Sequence, residues 1–223
     1  MIDQMKRHFV SYPKSGRSWI RYALTLLSVA DDIHFHHAGF EFNDGAKPPH
    51  NFDYRNMLKT YSSKDRIVYL ARDPRDLMVS LFFQIKGRFK DFFKYSGDIS
   101  AFIRDDYFGA HNLKKFRDLW DCFCSDRGYL KITYEECHLD MNKVLIRITD
   151  YYGLCCTEQE VRKAVESSTF DKMREVETSE TFSEPWLRPR NDTLKVRRGV
   201  VEGYRDYLDE KDIMFLNNIF KIE

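Results

Sequence analysis

Tyr12-Pro13-Lys14-Ser15-Gly16-Arg17-Ser18-Trp19 joins an apolar, β-rich run (HFVSY, residues 8–12) to a stretch with helical spacing, and the fold turns on that junction. Behind it, Trp19, Ile20, Ala23, Leu24 and Leu27 recur along one helix face, which predicts a helix over 18–29. Strand, short polar turn, helix is the order that builds an anion cradle. The first N–H groups of a helix lack partners within it, and the helix dipole adds positive potential at the same end. Gly16 lets the backbone curl tightly. Ser15 and Ser18 add hydroxyls, and Lys14 adds a mobile charge. The nucleotide loop G-x-x-x-x-G-K-[ST] is absent: the lysine here precedes the glycine, and no hydroxyl is set up to ligate magnesium. An ordinary strand–helix turn with a surface lysine stays open at this point.

Outward from the junction, strands are predicted at 8–12, 33–37 (IHFHH), 67–71 (IVYLA) and 129–134 (YLKITY). The last two read as central strands, because their apolar residues do not alternate cleanly. Helices are predicted at 76–86, 113–124, 141–152 and 209–220, and Thr157 with Glu160 makes a capping box ahead of a helix to about Ser167. The alternation predicts the α/β class: one domain over 1–223, a central parallel sheet flanked by helices, with a P-loop-like strand–loop–helix. Residues 178–199 break the rhythm with Pro185, Pro189, no periodicity and a basic end. Such a run is either a functional lid or disordered, and a mobile lid around 178–203 is expected.

Composition bounds the partners. With 43% hydrophobic residues the chain can build a real core, burying roughly 70% of the surface of its unfolded form. Lys and Arg number 36 against 35 Asp and Glu, without the basic excess of a general nucleic-acid binder. The opening residues show no long apolar segment of a secretory signal, and no run nears the roughly 18 apolar residues of a spanning helix. Cys122, Cys124, Cys137, Cys155 and Cys156 lack zinc-site spacing. A cytoplasmic protein with reduced thiols, no metal and no nucleic-acid partner is the expectation.

A second constellation lies at Arg72-Asp73-Pro74-Arg75-Asp76, after the third predicted strand. An arginine at the carboxyl end of a parallel strand faces the crevice where such sheets bind ligands, and its planar fork grips phosphate bidentately. Ser80 follows within the next helix, where its hydroxyl can point to the same crevice. A salt-bridged helix cap, or a magnesium-binding acid at Asp73, are the competing readings. A third constellation is Val196-Arg197-Arg198-Gly199-Val200-Val201-Glu202-Gly203-Tyr204-Arg205; alone, a charge run is most often a solvated face.

Together these residues resemble the sulfotransferases that use 3′-phosphoadenosine 5′-phosphosulfate (PAPS), in particular the bacterial-type domain. Tyr12–Trp19 is similar to the family's YPKSGTTW loop for the 5′-phosphosulfate, departing at Arg17 and Ser18. Arg72 and Ser80 match the Arg and Ser, eight residues apart, that hold the 3′-phosphate. Arg197, Arg198 and Gly199 resemble the RKG of the segment that closes over it, with a looser match beyond. Tyr134-Glu135-Glu136 resembles the YED turn whose tyrosine approaches adenine, and Ser168-Thr169-Phe170 with Met173 resembles the TSF-x-x-M segment flanking that base, on which Trp19 is expected to stack. The resemblance implies PAPS as donor, its bisphosphate PAP as product, and metal-independent transfer to an acceptor hydroxyl or amine, with Lys14 and a histidine base as catalytic groups.

His37-Ala38-Gly39 resembles the family's HDG segment and makes His37 the first candidate base, with Ala38 in place of the Asp; His36 and His50 are the others. Phe82, Phe83, Phe89, Phe92 and Phe93 interleave with Lys86, Arg88, Lys90 and Lys94, either as an acceptor mouth or, the favoured reading, as a helix end packing on the core. A magnesium-dependent kinase or ATPase and a non-catalytic nucleotide-binding protein remain the alternatives.

Overall fold

The computed structural model describes residues 5–40, 51–179 and 185–222. The chain runs β1 (Arg7–Ser11), α1 (Arg17–Leu26), β2 (His34–His36), α2 (Tyr54–Thr60), β3 (Arg66–Ala71), α3 (Pro74–Lys86), α4 (Lys90–Phe93), α5 (Ile99–Arg104) and α6 (Ala110–Arg127). It continues through β4 (Leu130–Thr133), α7 (Tyr134–Leu139), α8 (Met141–Tyr152), α9 (Glu158–Ser167), α10 (Phe170–Ser179) and α11 (Glu210–Phe220). The strands form a parallel sheet in the order β2-β1-β3-β4.

Alternation along β3 explains the two layers. Ile67, Tyr69 and Ala71 enter a core with Leu77, Met78 and Leu81 of α3 and Phe116 and Trp120 of α6. Val68 and Leu70 enter the opposite core, with Ile20 and Leu24 of α1 and Val144, Leu145 and Ile148 of α8. Both faces are covered, as a parallel sheet requires.

All four predicted strands form, with one correction to their placement: β1 and β3 are central, while β4 lies at the edge of the described sheet. Its apolar run misleads because Ile132 is buried while Lys131 points to solvent and pairs with Asp121 of α6 at 2.5 Å. The predicted helices also form. Pro74 sits at the start of α3 with Asp73 as cap, α8 spans 141–152, and the Thr157–Glu160 capping box is present. The chain goes from β1 to β2 on one side and to β3 on the other, so the strand order reverses between β1 and β3. Ligands of open α/β sheets bind at the carboxyl ends beside such a switch, and there the loop after β1 meets Arg72. Among the described residues no helix is long and apolar enough to cross a membrane.

Candidate active site

The loop after β1 is held by backbone conformations that side chains rarely adopt. Lys14 has φ 71° and Gly16 φ 102°. Glycine is required at 16 twice over, since a Cβ there would lie 2.4 Å from the Tyr134 ring. Gly16 caps α1 without a side-chain acceptor, and Gly16, Arg17 and Ser18 line a cavity of about 860 Å³. The open first turn of α1 therefore faces that cavity. Lys14 Nζ donates to the Lys195 carbonyl at 3.4 Å. Ser15 departs from the sequence expectation: its buried hydroxyl donates to the Tyr12 carbonyl at 2.8 Å, shaping the turn, and it does not line the cavity.

Arg72 enters from the end of β3. It donates to the Lys14 carbonyl at 3.1 Å and to the Val200 carbonyl at 3.4 Å, and its guanidinium stacks 4.1 Å from the centre of the Tyr134 ring. Its Nε is buried with no acceptor among the described residues. One side chain thus ties the β1 loop, α7 and the basic segment together. Asp73 is consumed by its own helix: it accepts from Arg75 N–H at 2.8 Å and pairs with the Arg75 guanidinium at 2.6 Å. Ser80 lines the same cavity from α3.

Two buried carboxylates pin the basic segment. Asp76 accepts from the N–H groups of Glu202 at 2.7 Å and Tyr204 at 2.8 Å. Burial raises its pKa, opposed by Arg72 and by those two bonds. Glu177 of α10 accepts from the N–H groups of Lys195 and, at 2.9 Å, Val196, and it pairs with buried Arg88 at 3.6 Å. Between these anchors Arg197 bonds the Tyr207 hydroxyl at 2.8 Å and stacks on Phe83, while Arg198 pairs with Asp206 at 2.6 Å. Gly199, at φ 63°, lies so close to Phe170 that a Cβ would fall 2.4 Å from its ring.

The motif residues converge. Lys14, Gly16, Arg17, Ser18, Trp19, His37, Arg72, Ser80, Tyr134, Thr169, Phe170 and Arg197–Gly199 all line the one cavity. Ser168 does not; it is fully buried, with its hydroxyl on the Val165 carbonyl at 3.3 Å. Among the described residues the cations on the wall (Lys14, Arg17, Arg72, Arg88, Lys195, Arg197, Arg198) outnumber two lining acids, Asp76 and Asp140, a balance that favours an anionic ligand. Glu177 carries no motif in the sequence, and although Asp76 lies in the Arg72–Asp76 turn and Arg88 in the Phe-rich run, neither reading anticipates their hold on the 188–204 backbone. Of the Phe-rich run, Phe82, Phe83 and Phe93 pack on the core and Phe89 lines the cavity.

The histidines separate. His37 Nδ1 donates to the Ser11 carbonyl at 2.6 Å, which makes Nε2 the basic nitrogen of the neutral ring. Burial, then the charge of Arg17, holds its pKa well below 6.5. His36 lies in a second cavity with His8 and His34; burial takes its pKa to about 3. His50 lies outside the described residues.

A model of the sulfotransferase domain matches residues 8–223. Human sulfotransferase 2B1 is 25% identical over 223 residues, 89% of this chain and 60% of that protein. Human sulfotransferase 2A1 is 21% identical, over 74% of this chain and 65% of that one. The chain therefore spans less than two thirds of the length of these relatives. The 3-beta-hydroxysteroid sulfotransferase of Cavia porcellus is 25% identical, over 89% of this chain and 76% of that one. Among solved structures, mouse sulfotransferase SULT7A1 complexed with PAP superimposes with a TM-score of 0.70 at 19% identity, covering 97% of this chain and 82% of that one. Retinol dehydratase in complex with androsterone and inactive cofactor PAP gives 0.64, also at 19% identity, covering 97% and 79%. The sheet, the cradle and the match along nearly all of its length agree: this chain belongs to the sulfotransferase domain family.

Proposed function

We propose that the protein transfers a sulfuryl group from PAPS to a hydroxyl or amine of an acceptor. The observation that carries this reading is the convergence of the Pro13–Ser18 loop, Arg72, Ser80 and Arg197–Gly199 on one cationic cavity. The residues fit a bisphosphorylated nucleotide: Arg72 holds a buried donor with no acceptor among the described residues, and Gly16 leaves the backbone of the cradle open. When bound, the donor supplies an activated sulfur whose bridging oxygen leaves with the 5′-phosphate.

The chain's own groups do the rest. Lys14 and the first-turn N–H groups of α1 neutralise charge that develops on the leaving phosphate. His37 Nε2 accepts the acceptor's proton, its ring oriented by the Nδ1 bond to Ser11. Arg72, Ser80, Arg197, Arg198 and Gly199 hold the 3′-phosphate. Trp19, Tyr134, Thr169 and Phe170 border the base, and Ser168 supports that wall from beneath. Ser15 shapes the cradle. Fixed cations serve where a phosphoryl-transfer enzyme uses magnesium, so transfer proceeds under chelator. The segment 178–203, of which residues 180–184 lie outside the described ones, would serve as a lid over the nucleotide, and the five free thiols suit a reducing cytoplasm.

The test is calorimetric titration of chelator-treated protein with PAP and ATP in parallel, followed by transfer of labelled sulfate from PAPS to a panel of phenol, alcohol, sugar and amine acceptors. Selective PAP binding with turnover on some acceptor class supports the reading. PAP binding with no turnover on any acceptor reduces the protein to a nucleotide binder. ATP binding that depends on magnesium, with PAP ignored, overturns it.

A further inference from the structure

Outside the donor cavity, β1 and β2 bring three histidines onto one face of the sheet. His8 is the register partner of His34, and His36, two residues further along the strand, points the same way. Ring nitrogens of all three lie within 4.8 Å of one another. His8 Nδ1 and His36 Nε2 are 3.2 Å apart, close to the separation of two nitrogens that share one tetrahedral ion at about 2.0–2.1 Å each.

The surroundings match the chemistry of a metal site. The far nitrogen of His8, Nε2, is buried with no hydrogen-bond partner among the described residues, and it faces the Asp65 carboxylate at 3.7 Å. That carboxylate is fixed by the N–H groups of Lys6 at 3.0 Å and Ser62 at 2.8 Å. A ligating imidazole that turns its second N–H toward an anchored carboxylate is the usual outer shell of a zinc histidine. The cluster opens on a cavity of about 330 Å³ bordered by Asn51, Asn56 and Thr60, with room for a water as fourth ligand. His34 is exposed, with its ring centre 5.6 Å from that of His8 and 4.8 Å from that of His36.

The geometry points to His8, His34 and His36 as a binding site for a zinc-class divalent ion, with water in the fourth position. The ion clips the three-residue strand β2 to β1, one residue before His37. Loading has an identifiable cost. Without metal, His36 Nδ1 accepts from the Ala38 N–H at 3.1 Å, so Nε2 carries the proton in its contact with His8. Ligation through Nε2 moves that proton to Nδ1 and forfeits the Ala38 bond, a loss worth about tenfold in affinity. The transfer reaction draws on none of these side chains, so the site is tested independently of it.

Full-length protein is stripped with chelator, desalted and titrated with zinc by calorimetry and with cobalt(II) by absorbance. The expected result is one equivalent of zinc, visible bands of nitrogen-ligated tetrahedral cobalt, and a zinc-dependent rise in Tm. His34→Ala, an exposed change that leaves the metal-free Tm unaltered, weakens binding at least tenfold and removes the Tm rise; Asp65→Asn weakens it about tenfold. His111→Ala, outside the cluster, changes nothing. Absence of binding at millimolar zinc, equal binding by His34→Ala, or a cobalt–thiolate charge-transfer band overturns the assignment.

Discussion

At the scale of single residues, His37 and Lys14 divide the proposed chemistry between a proton and a phosphate. Burial keeps the His37 ring neutral well below pH 6.5, so the base is ready throughout the neutral range. In chelator-containing buffer kcat/KM is expected to stay level as pH falls through 6.5, with the acid limb beneath it; a limb centred at 6.5 or above would remove His37 from the role. The linkage has a definite sign. Between 6.5 and its folded pKa this ring binds a proton when unfolded but not when folded, so stability declines as pH drops below 6.5. Chemical denaturation at a series of pH values, with His37→Asn beside the parent, measures that slope, which should flatten in the variant. Lys14→Ala tests the other half: turnover should drop about 10²- to 10³-fold, the cost of removing one group aimed at developing charge. PAP binding, measured by calorimetry, should survive in weakened form, and full activity would exclude Lys14 from the transfer step.

At the scale of elements, the cradle depends on two pieces far apart in sequence meeting at one glycine. Gly16→Ala places a methyl 2.4 Å from the Tyr134 ring at φ 102°, so either the loop or α7 must move. Strain of this kind costs about 1–2 kcal/mol before the clash is counted. Loss of PAP affinity of at least tenfold is expected, and partial recovery in Gly16→Ala/Tyr134→Ala would identify the ring as the obstacle. The loop stood out in the sequence through its resemblance to the family's motif; residue order alone allowed an anion cradle and an ordinary strand–helix turn alike. Arg72 and Ser80 stood out in the same way, their spacing matching the family while a salt-bridged cap remained open on residue chemistry. The place of β4 was not legible: strand order is set by how helices cover the sheet, and a short apolar run reads alike at centre and edge. The resemblance put His37 ahead of His36, but residue type alone did not separate them. Side chains alternate across a strand, yet which face meets the donor cavity is decided only when β2 docks on β1. The metal-competent trio is hidden likewise, since His8 and His34 become neighbours only through sheet register.

At the scale of the whole molecule, the basic segment is held at both ends by carboxylates whose partners are remote in the chain, which is why no local pattern announced them. Asp76 reaches N–H groups 126 and 128 residues away, and Glu177 reaches 18 and 19. The two anchors differ in what else they hold. Glu177 also pairs with buried Arg88, so Glu177→Gln removes an opposite charge from a buried pair and should lower stability by about 3–5 kcal/mol. Asp76 makes no ion pair among the described residues, although the charge of Arg72 acts on it, and Asp76→Asn exchanges one acceptor for an amide N–H2 aimed at the backbone donors of Glu202 or Tyr204. Its cost should fall on the proposed lid. PAP affinity is expected to weaken about tenfold while the denaturation midpoint without nucleotide moves far less than in Glu177→Gln. Limited proteolysis completes the comparison: PAP should protect the 178–203 region in the parent and protect it poorly in Asp76→Asn. If both variants lose stability and affinity in equal proportion, the carboxylates merely hold the fold together, and the lid does not close by way of Asp76.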